Sequence, residues 1–328
     1  MQQFLVVQQF VVVRRRFVVR WRWWVRRMIG SGADDVGARP SPGAVVAVGR
    51  GGLPELGVGV GWRPEIAGVV ADVPGLRFCE VVAEGIHTHV PLSGPLAVLR
   101  ERGVTLVPHG VRLSLGGAEP VEAARVAHLA ACAELLDAPL VSEHIAFVRA
   151  GDVEAGHLLP VPRTRAAVNA LAANYRRTID GLGGVPLALE PIAALFDWPD
   201  DEYDEADFLN AVLDRTGAML LLDVANVYAN ARNRGQDPVA LLDRLPLDRV
   251  AYVHVAGGRE HEGLYHDTHT DAVPQPVLDL VTALAERATP AGWLLERDGD
   301  YPPAEVLRAE LASITAAVEA GTRAASLR

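Results

Sequence analysis

Eight short apolar runs, at residues 57–61, 78–83, 105–108, 140–142, 186–189, 218–222, 250–253 and 293–295, punctuate the chain at intervals. Unbroken runs of this length read as strands buried on both faces, as in parallel sheets. Between them lie stretches with apolar residues at helical spacing: 120–136, 164–179, 205–215, 238–245, 274–286 and 303–318. Several open on Pro or a capping residue, as at Asp237-Pro238. Strand and helix alternating in this way predict an α/β fold, a (β/α)8 TIM barrel. The opening GVGVG is followed by no GxGxxG helix start, so it reads as the first barrel strand and not as a nucleotide loop.

Active sites of such barrels are built at the C-terminal ends of the strands. There the sequence places Glu84 after FCEVVA, His109 after TLVP, His144 after LVSE and Glu190 after PLAL. It continues with Asp223 after MLLL, His254 after VAYV and Glu296 after WLL. Asn226 follows Asp223 by three positions, and the loop 256–271 adds Asp267 and His269. Each has a plain reading when taken singly. Asp223 would cap the next helix, a lone strand-end His would be hydrogen-bonded structure, Glu84 an exposed loop acid, and Glu296 a partner for Arg297. Taken together, several carboxylates at one end of a barrel would repel and raise one another's pKa values. Divalent cations remove that penalty, and mixed imidazole and carboxylate donors suit zinc, iron or manganese better than magnesium or calcium. Cys79 lies within a strand run and Cys132 within a helical one, so thiolate ligation is not expected. His128 is mid-helix, and His87, His89, His157 and His261 fall in loops, while His266 beside Asp267 would support the site from outside. The potential ligands exceed what one four- to six-coordinate ion uses, which points to more than one metal.

Composition removes other chemistries. All 31 basic residues are arginine, which excludes P-loop lysine chemistry, pyridoxal phosphate enzymes and Schiff-base aldolases. Two cysteines rule against a disulfide framework and suit a reducing cytoplasm. Residues 1–33 hold seven arginines, no acid and three of the six tryptophans. They contain no apolar run near the ~18 residues of a membrane span, nor the layout of a signal peptide. A membrane-surface or nucleic-acid role stays open for this segment, beside the plainer reading of a disordered basic extension with Met28 as an alternative initiator. Residues 30–52 are rich in Gly, Pro and Ala and read as linker, giving an extension over 1–52 and a barrel domain over 53–322. With a net charge of −10 overall, the remainder is more acidic still, against a nucleic-acid groove in the barrel.

In order, GVGVGWRPEI, FCEVVAE, VPHGVRLSLGG, LVSEHIAF, HLLPVPRT, LLLDVANVYANARN, VAYVHVAGG, YHDTH and LLERDGDYPP resemble one bacterial family over residues 56–315. It is that of the multinuclear non-heme iron-dependent oxidative enzymes, which includes the methanobactin biosynthesis oxidase. The resemblance implies a xylose isomerase-like barrel holding two or three irons in mixed ferrous and ferric states. It also implies dioxygen as co-substrate, a cysteine-containing ribosomally made precursor peptide as substrate, and often a separate protein that delivers the peptide. By motif it implies metal ligation by His109, His144, Glu190, Asp223, Asn226, His254, Asp267, His269 and Glu296, with Glu84 and Asn226 as catalytic side chains. Gly85 and Pro191 stand where the family usually has Asn. Two other readings fit a barrel with these ligands: a trinuclear zinc phosphoesterase of the AP-endonuclease type, and a non-catalytic metal-binding subunit of a biosynthetic complex. AP endonucleases use His where this chain has Asn226. Sugar isomerisation on the same barrel expects a catalytic lysine beside the metal, and the chain has none.

Overall fold

A computed structural model describes residues 52–327. The basic segment, with its expected disorder, and all but the last residue of the expected linker lie outside the described residues. In chain order the elements are β1 (Gly57–Trp62), α1 (Ala67–Ala71), β2 (Phe78–Val82), α2 (Gly94–Glu101), β3 (Thr105–Gly110), α3 (Ala123–Leu136) and β4 (Val141–His144). They continue with β5 (Ala146–Ala150), β6 (Val153–Pro160), α4 (Arg165–Gly181), β7 (Leu187–Glu190), α5 (Glu205–Thr216), β8 (Met219–Asp223), α6 (Val224–Asn233) and α7 (Pro238–Leu242). The last are β9 (Val250–Val255), β10 (Gly257–His261), β11 (Leu264–Asp271), α8 (Gln275–Ala285), β12 (Gly292–Leu295) and α9 (Ala304–Ser326). Eight strands close a barrel in the order β1-β12-β9-β8-β7-β4-β3-β2. All of its neighbours are parallel. The predicted (β/α)8 barrel is the fold, and each apolar run lies on one barrel strand.

Side chains alternate between the two faces of a strand, and here both faces are buried. Outward residues such as Cys79, Val81, Leu106, Leu189, Leu222 and Leu295 join one large core with the helices. The inward set is smaller: Phe78, Val107, Leu140, Ala188, Leu221, Tyr252 and Leu294 form a separate cluster that floors the barrel. Phe78 and Tyr252 meet there edge to face, with ring centroids 6.3 Å apart. Gly59 makes room for this layer, since a Cβ on it would stand 2.4 Å from the Phe78 ring. Helix ends follow the sequence signals. Thr164 accepts from the Ala167 N–H at the start of α4, Asp204 from the Asp207 N–H at the start of α5, and Asp237 from the Val239 N–H at α7. Gly217, at φ 72, closes α5 in the left-handed region.

Two features differ from the sequence expectation. The loop at 256–271 is an antiparallel hairpin, β10–β11, pairing Arg259 with His266 and Glu260 with Tyr265. Residues 146–160 form a second hairpin, β5–β6. Hairpin β10–β11 is largely polar and partly exposed, and the apolar residues of β5, 146–148, follow β4 so closely that they do not stand apart as a separate run. Arg297 joins α9 to the end of β11: it is buried, donates to Thr270 O at 2.6 Å and pairs with Glu310 at 2.7 Å. A Cβ on Gly257 would lie 2.3 Å from the carbonyl oxygens of Asp271 and Ala272, both backbone atoms. Gly257→Ala should therefore cost about 1–3 kcal/mol of stability by forcing the hairpin apart. Urea unfolding checks this, and an unchanged midpoint would contradict it.

Candidate metal centre

The alternation that builds the apolar floor also builds the layer above it. Two residues after each inward floor residue comes an inward polar one: Glu80 after Phe78, His109 after Val107, Ser142 after Leu140, Glu190 after Ala188. The same step gives Asp223 after Leu221, His254 after Tyr252, and Glu296 after Leu294, and β4 carries a further turn of the pattern at His144. All of these are buried. Glu190 lies at the centre. Its Oε2 is 3.6 Å from His109 Nε2 and 3.3 Å from His144 Nε2, and its Oε1 is 3.2 Å from His254 Nδ1. Glu296 Oε2 is 2.9 Å from His254 Nδ1 and 3.3 Å from His269 Nδ1. The β10–β11 hairpin delivers His269, whose Nε2 is 2.7 Å from Asp267 Oδ2 and 3.5 Å from Asp223 Oδ2.

Asp223 caps the next helix and also faces the cluster. Its Oδ1 accepts from the Ala225 and Asn226 N–H groups at 2.6 and 3.3 Å and so caps α6, while Oδ2 faces His269. His269 sits at φ 52, a left-handed conformation costing about 1–3 kcal/mol that persists where the surroundings impose it. Glu296 is held from the other side by Arg63 at 3.2 Å, not by Arg297, and Arg63 also grips Asp298 at 2.5 Å. Asp298, unmarked in the sequence, lies 3.5 Å from His269 Nδ1.

With protons as the only cations, the charges lean on one another. Burial opposes the His144 imidazolium, but Glu190 and Glu143 outweigh it and lift its pKa to about 9. His254 and His269 are raised well above the usual histidine range against the same penalty, His254 chiefly by Glu80 and His269 chiefly by Asp267. Burial pushes Glu190 up, yet His254 and His144 bring it down to about 2. Asp223 rises to about 6 because burial is joined by the neighbouring Asp267 charge.

The fit to metal rests on unspent atoms. Glu190 Oε2, Asp223 Oδ2, His254 Nδ1 and Asp267 Oδ1 are buried without a hydrogen bond, each a costly omission unless something else satisfies it. Glu190, Asp223 and His254 together form one group whose donor atoms lie within 4.8 Å of one another. Three more groups meet that distance: His109 with His144 and Glu190, Asp223 with His269 and Glu296, and Glu80 with His254 and Glu296. The donors fit cations of the zinc, iron and manganese type. Asp267 lies outside these four groups but against His269. Asn226 is engaged with the segment after Glu190: its Oδ1 accepts from Ala193 N–H at 3.1 Å and its Nδ2 donates to Pro191 O at 3.1 Å. Glu84 is an exposed rim residue whose Oε1 accepts from Val111 N–H at 3.1 Å. It lines a cavity of about 250 Å³ with Arg112, Arg125 and His128. A Cβ on Gly85 would meet open space, so nothing in the packing demands glycine there. Glu80 escaped the sequence reading because it lies inside the run FCEVVA, where only its inward parity marks it.

Fold and site together define a parallel barrel with a buried imidazole and carboxylate cluster at the C-terminal mouth. Two solved structures share the fold. An L-ribulose 3-epimerase superposes with a TM-score of 0.55 at 16% identity, covering 84% of this chain and 98% of that one. A xylose isomerase domain protein from Planctomyces limnophilus gives 0.54 at 14% identity, covering 84% and 99%. Residues 57–319 match the family model of the RiPP precursor modification enzymes MbnB/TglH/ChrH, and the chain belongs to that family. A UPF0276 protein of Streptomyces avermitilis is 53% identical over 281 residues, 83% of this chain and 57% of that protein, so this chain spans well under two thirds of that relative. One from Caulobacter vibrioides is 36% identical over 272 residues, 81% of this chain and 96% of that protein.

Chelator-treated protein should gain stability when zinc or ferrous iron is restored, by roughly 3 kcal/mol at a hundredfold excess over Kd. A thermal midpoint that stays fixed across a metal titration would contradict the fit.

Proposed function

We propose that this chain is an iron- and dioxygen-dependent enzyme that oxidises a cysteine residue of a ribosomally made precursor peptide. The observation that supports this most is the sharing of donors: Glu190 belongs both to the group with His109 and His144 and to the group with Asp223 and His254, and Asp223 belongs to the latter and to the group with His269 and Glu296. Neighbouring cations would thus be held by common residues, as a multinuclear centre requires. Iron bound there supplies one-electron chemistry, reduction of dioxygen and an attachment point for a thiolate.

The chain's own residues do the rest. His109, His144, Glu190, Asp223, His254, Asp267, His269 and Glu296 hold the metals, and Arg63 keeps Glu296 in place. Asn226 clamps the segment that follows Glu190, a positioning task it performs through Pro191 and Ala193. Glu84 stands at the rim, where burial and Glu143 raise its pKa, and can hold or accept a proton beside an entering peptide. Cys79 and Cys132 do not compete as ligands, since burial pushes both thiols up to about 12. No helix among the described residues is long and apolar enough to cross a membrane. Residues 53–322 are the catalytic domain in this proposal, working in the cytoplasm on a peptide brought by a partner protein; α9 itself runs on to Ser326.

The test uses the full chain, loaded with iron under anaerobic conditions and mixed with a cysteine-containing precursor peptide encoded beside its gene. Mass spectrometry should show a changed mass at cysteine only after oxygen is admitted, and Glu190→Ala or His254→Ala should abolish the change. An unmodified peptide with a fully loaded site would contradict the oxidase, and abasic-site DNA cleavage by the zinc form would favour the phosphoesterase.

A further inference from the structure

Beneath the metal-type cluster lies a set of buried polar side chains that the proposed chemistry does not use. Glu80, Ser142 and Tyr252 are inward residues of β2, β4 and β9, and all three are buried. Glu80 Oε2 is 2.5 Å from Tyr252 Oη and 2.8 Å from His254 Nε2. Tyr252 Oη is 2.7 Å from Ser142 Oγ, which is 2.8 Å from His109 Nδ1. Five side chains from four strands thus form one continuous chain of contacts.

Proton counting leaves this chain a single direction. An ionised carboxylate only accepts, and a tyrosine hydroxyl has one proton. Tyr252 therefore donates to Glu80 and must accept from Ser142. The Ser142 proton being spent, its oxygen accepts from His109, so His109 carries its proton on Nδ1 and turns a bare Nε2 toward Glu190. At the other end His254 donates from Nε2 to the same Glu80 oxygen, so a cation that displaces the second imidazolium proton would meet Nδ1, the nitrogen facing Glu190 and Glu296. The two imidazoles are consequently presented through different nitrogens, and one buried carboxylate sets both. Glu80 Oε2 is taken up by two donors and in that position orients the two imidazoles.

We propose that Glu80, Tyr252 and Ser142 are positioning residues whose directed hydrogen-bond relay fixes the tautomers of His109 and His254 and couples two parts of the metal centre. This rests on the reading of the cluster as a metal centre. Hydrogen-bond partners of this kind orient ligands, and their loss typically lowers metal affinity about 10- to 100-fold.

The test is zinc titration of the full chain, followed by ¹⁵N-histidine NMR of the diamagnetic zinc form. In the wild type, His109 should keep its proton on Nδ1 and bind through Nε2, and His254 should keep its proton on Nε2 and bind through Nδ1. Tyr252→Phe adds no volume and should weaken zinc binding about 10- to 100-fold. Ser142→Ala should disturb the His109 resonances and leave those of His254 in place. Glu80→Gln retains an oxygen for both donors and should hold the tautomers, whereas Glu80→Met, which retains the length but no acceptor, should release them. Unchanged zinc affinity and unchanged histidine shifts in both Tyr252→Phe and Ser142→Ala would overturn the relay while leaving the metal centre standing. A wild type that takes up no zinc or iron would overturn the metal centre itself, and the relay with it.

Discussion

The structure depends on one constraint, the two-residue period of strands that are buried on both faces. In a closed parallel barrel every inward side chain either fills the lumen or lines its mouth. Here the change from apolar to ionisable takes a single step of that period, from Phe78 to Glu80 and from Leu221 to Asp223, with the same step on β3, β7, β9 and β12. The floor of Phe78, Val107, Leu221, Tyr252 and Leu294 excludes water from below, so the charges above it sit where uncompensated burial is most costly. Imidazolium protons can neutralise the carboxylates, and Glu190 held near 2 beside His144 near 9 shows how far they lean on that exchange. Cations that take the unspent oxygens and nitrogens would satisfy the same charges with fewer atoms left unpaired.

Much of this was legible in the chain. A buried parallel strand is a contiguous apolar run, and each such run was found on a barrel strand, because burial on both faces removes the ambiguity of half-exposed strands. Where a polar residue ended the run, as at His109, Glu190 and His254, its place at the mouth followed. Glu80 was hidden for the converse reason: it interrupts its strand, and parity is invisible until the register is known. Hairpin β10–β11 escaped because its ribbon is largely polar and half-buried, and β5–β6 because its apolar residues 146–148 follow directly on β4. Sequence spacing likewise could not show that the Asn226 amide bonds to the Ala193 N–H and the Pro191 carbonyl. Nor could it place Glu84, which the backbone carries to the rim, or Asp298, which reaches His269 only through the fold.

The two hairpins and the relay bear on one another. The barrel supplies His109, His144, Glu190, Asp223, His254 and Glu296 from rigid strand ends. The β10–β11 hairpin supplies Asp267 and His269 from a ribbon tied down through Thr270 and Arg297. Strand-borne side chains can be held by partners beneath them, as His254 meets Glu80 at 2.8 Å, whereas hairpin-borne ones depend on how the ribbon is anchored. A centre assembled from both kinds of support can keep part of its geometry while the other part admits a substrate.

The most direct measurement is the metal content and Mössbauer spectrum of protein made in iron-57 medium and purified without oxygen. A multinuclear centre gives more than one iron per chain, with a magnetically coupled ferric or mixed-valence signal. Reproducible filling by zinc with no iron bound, even when iron is abundant, would contradict it.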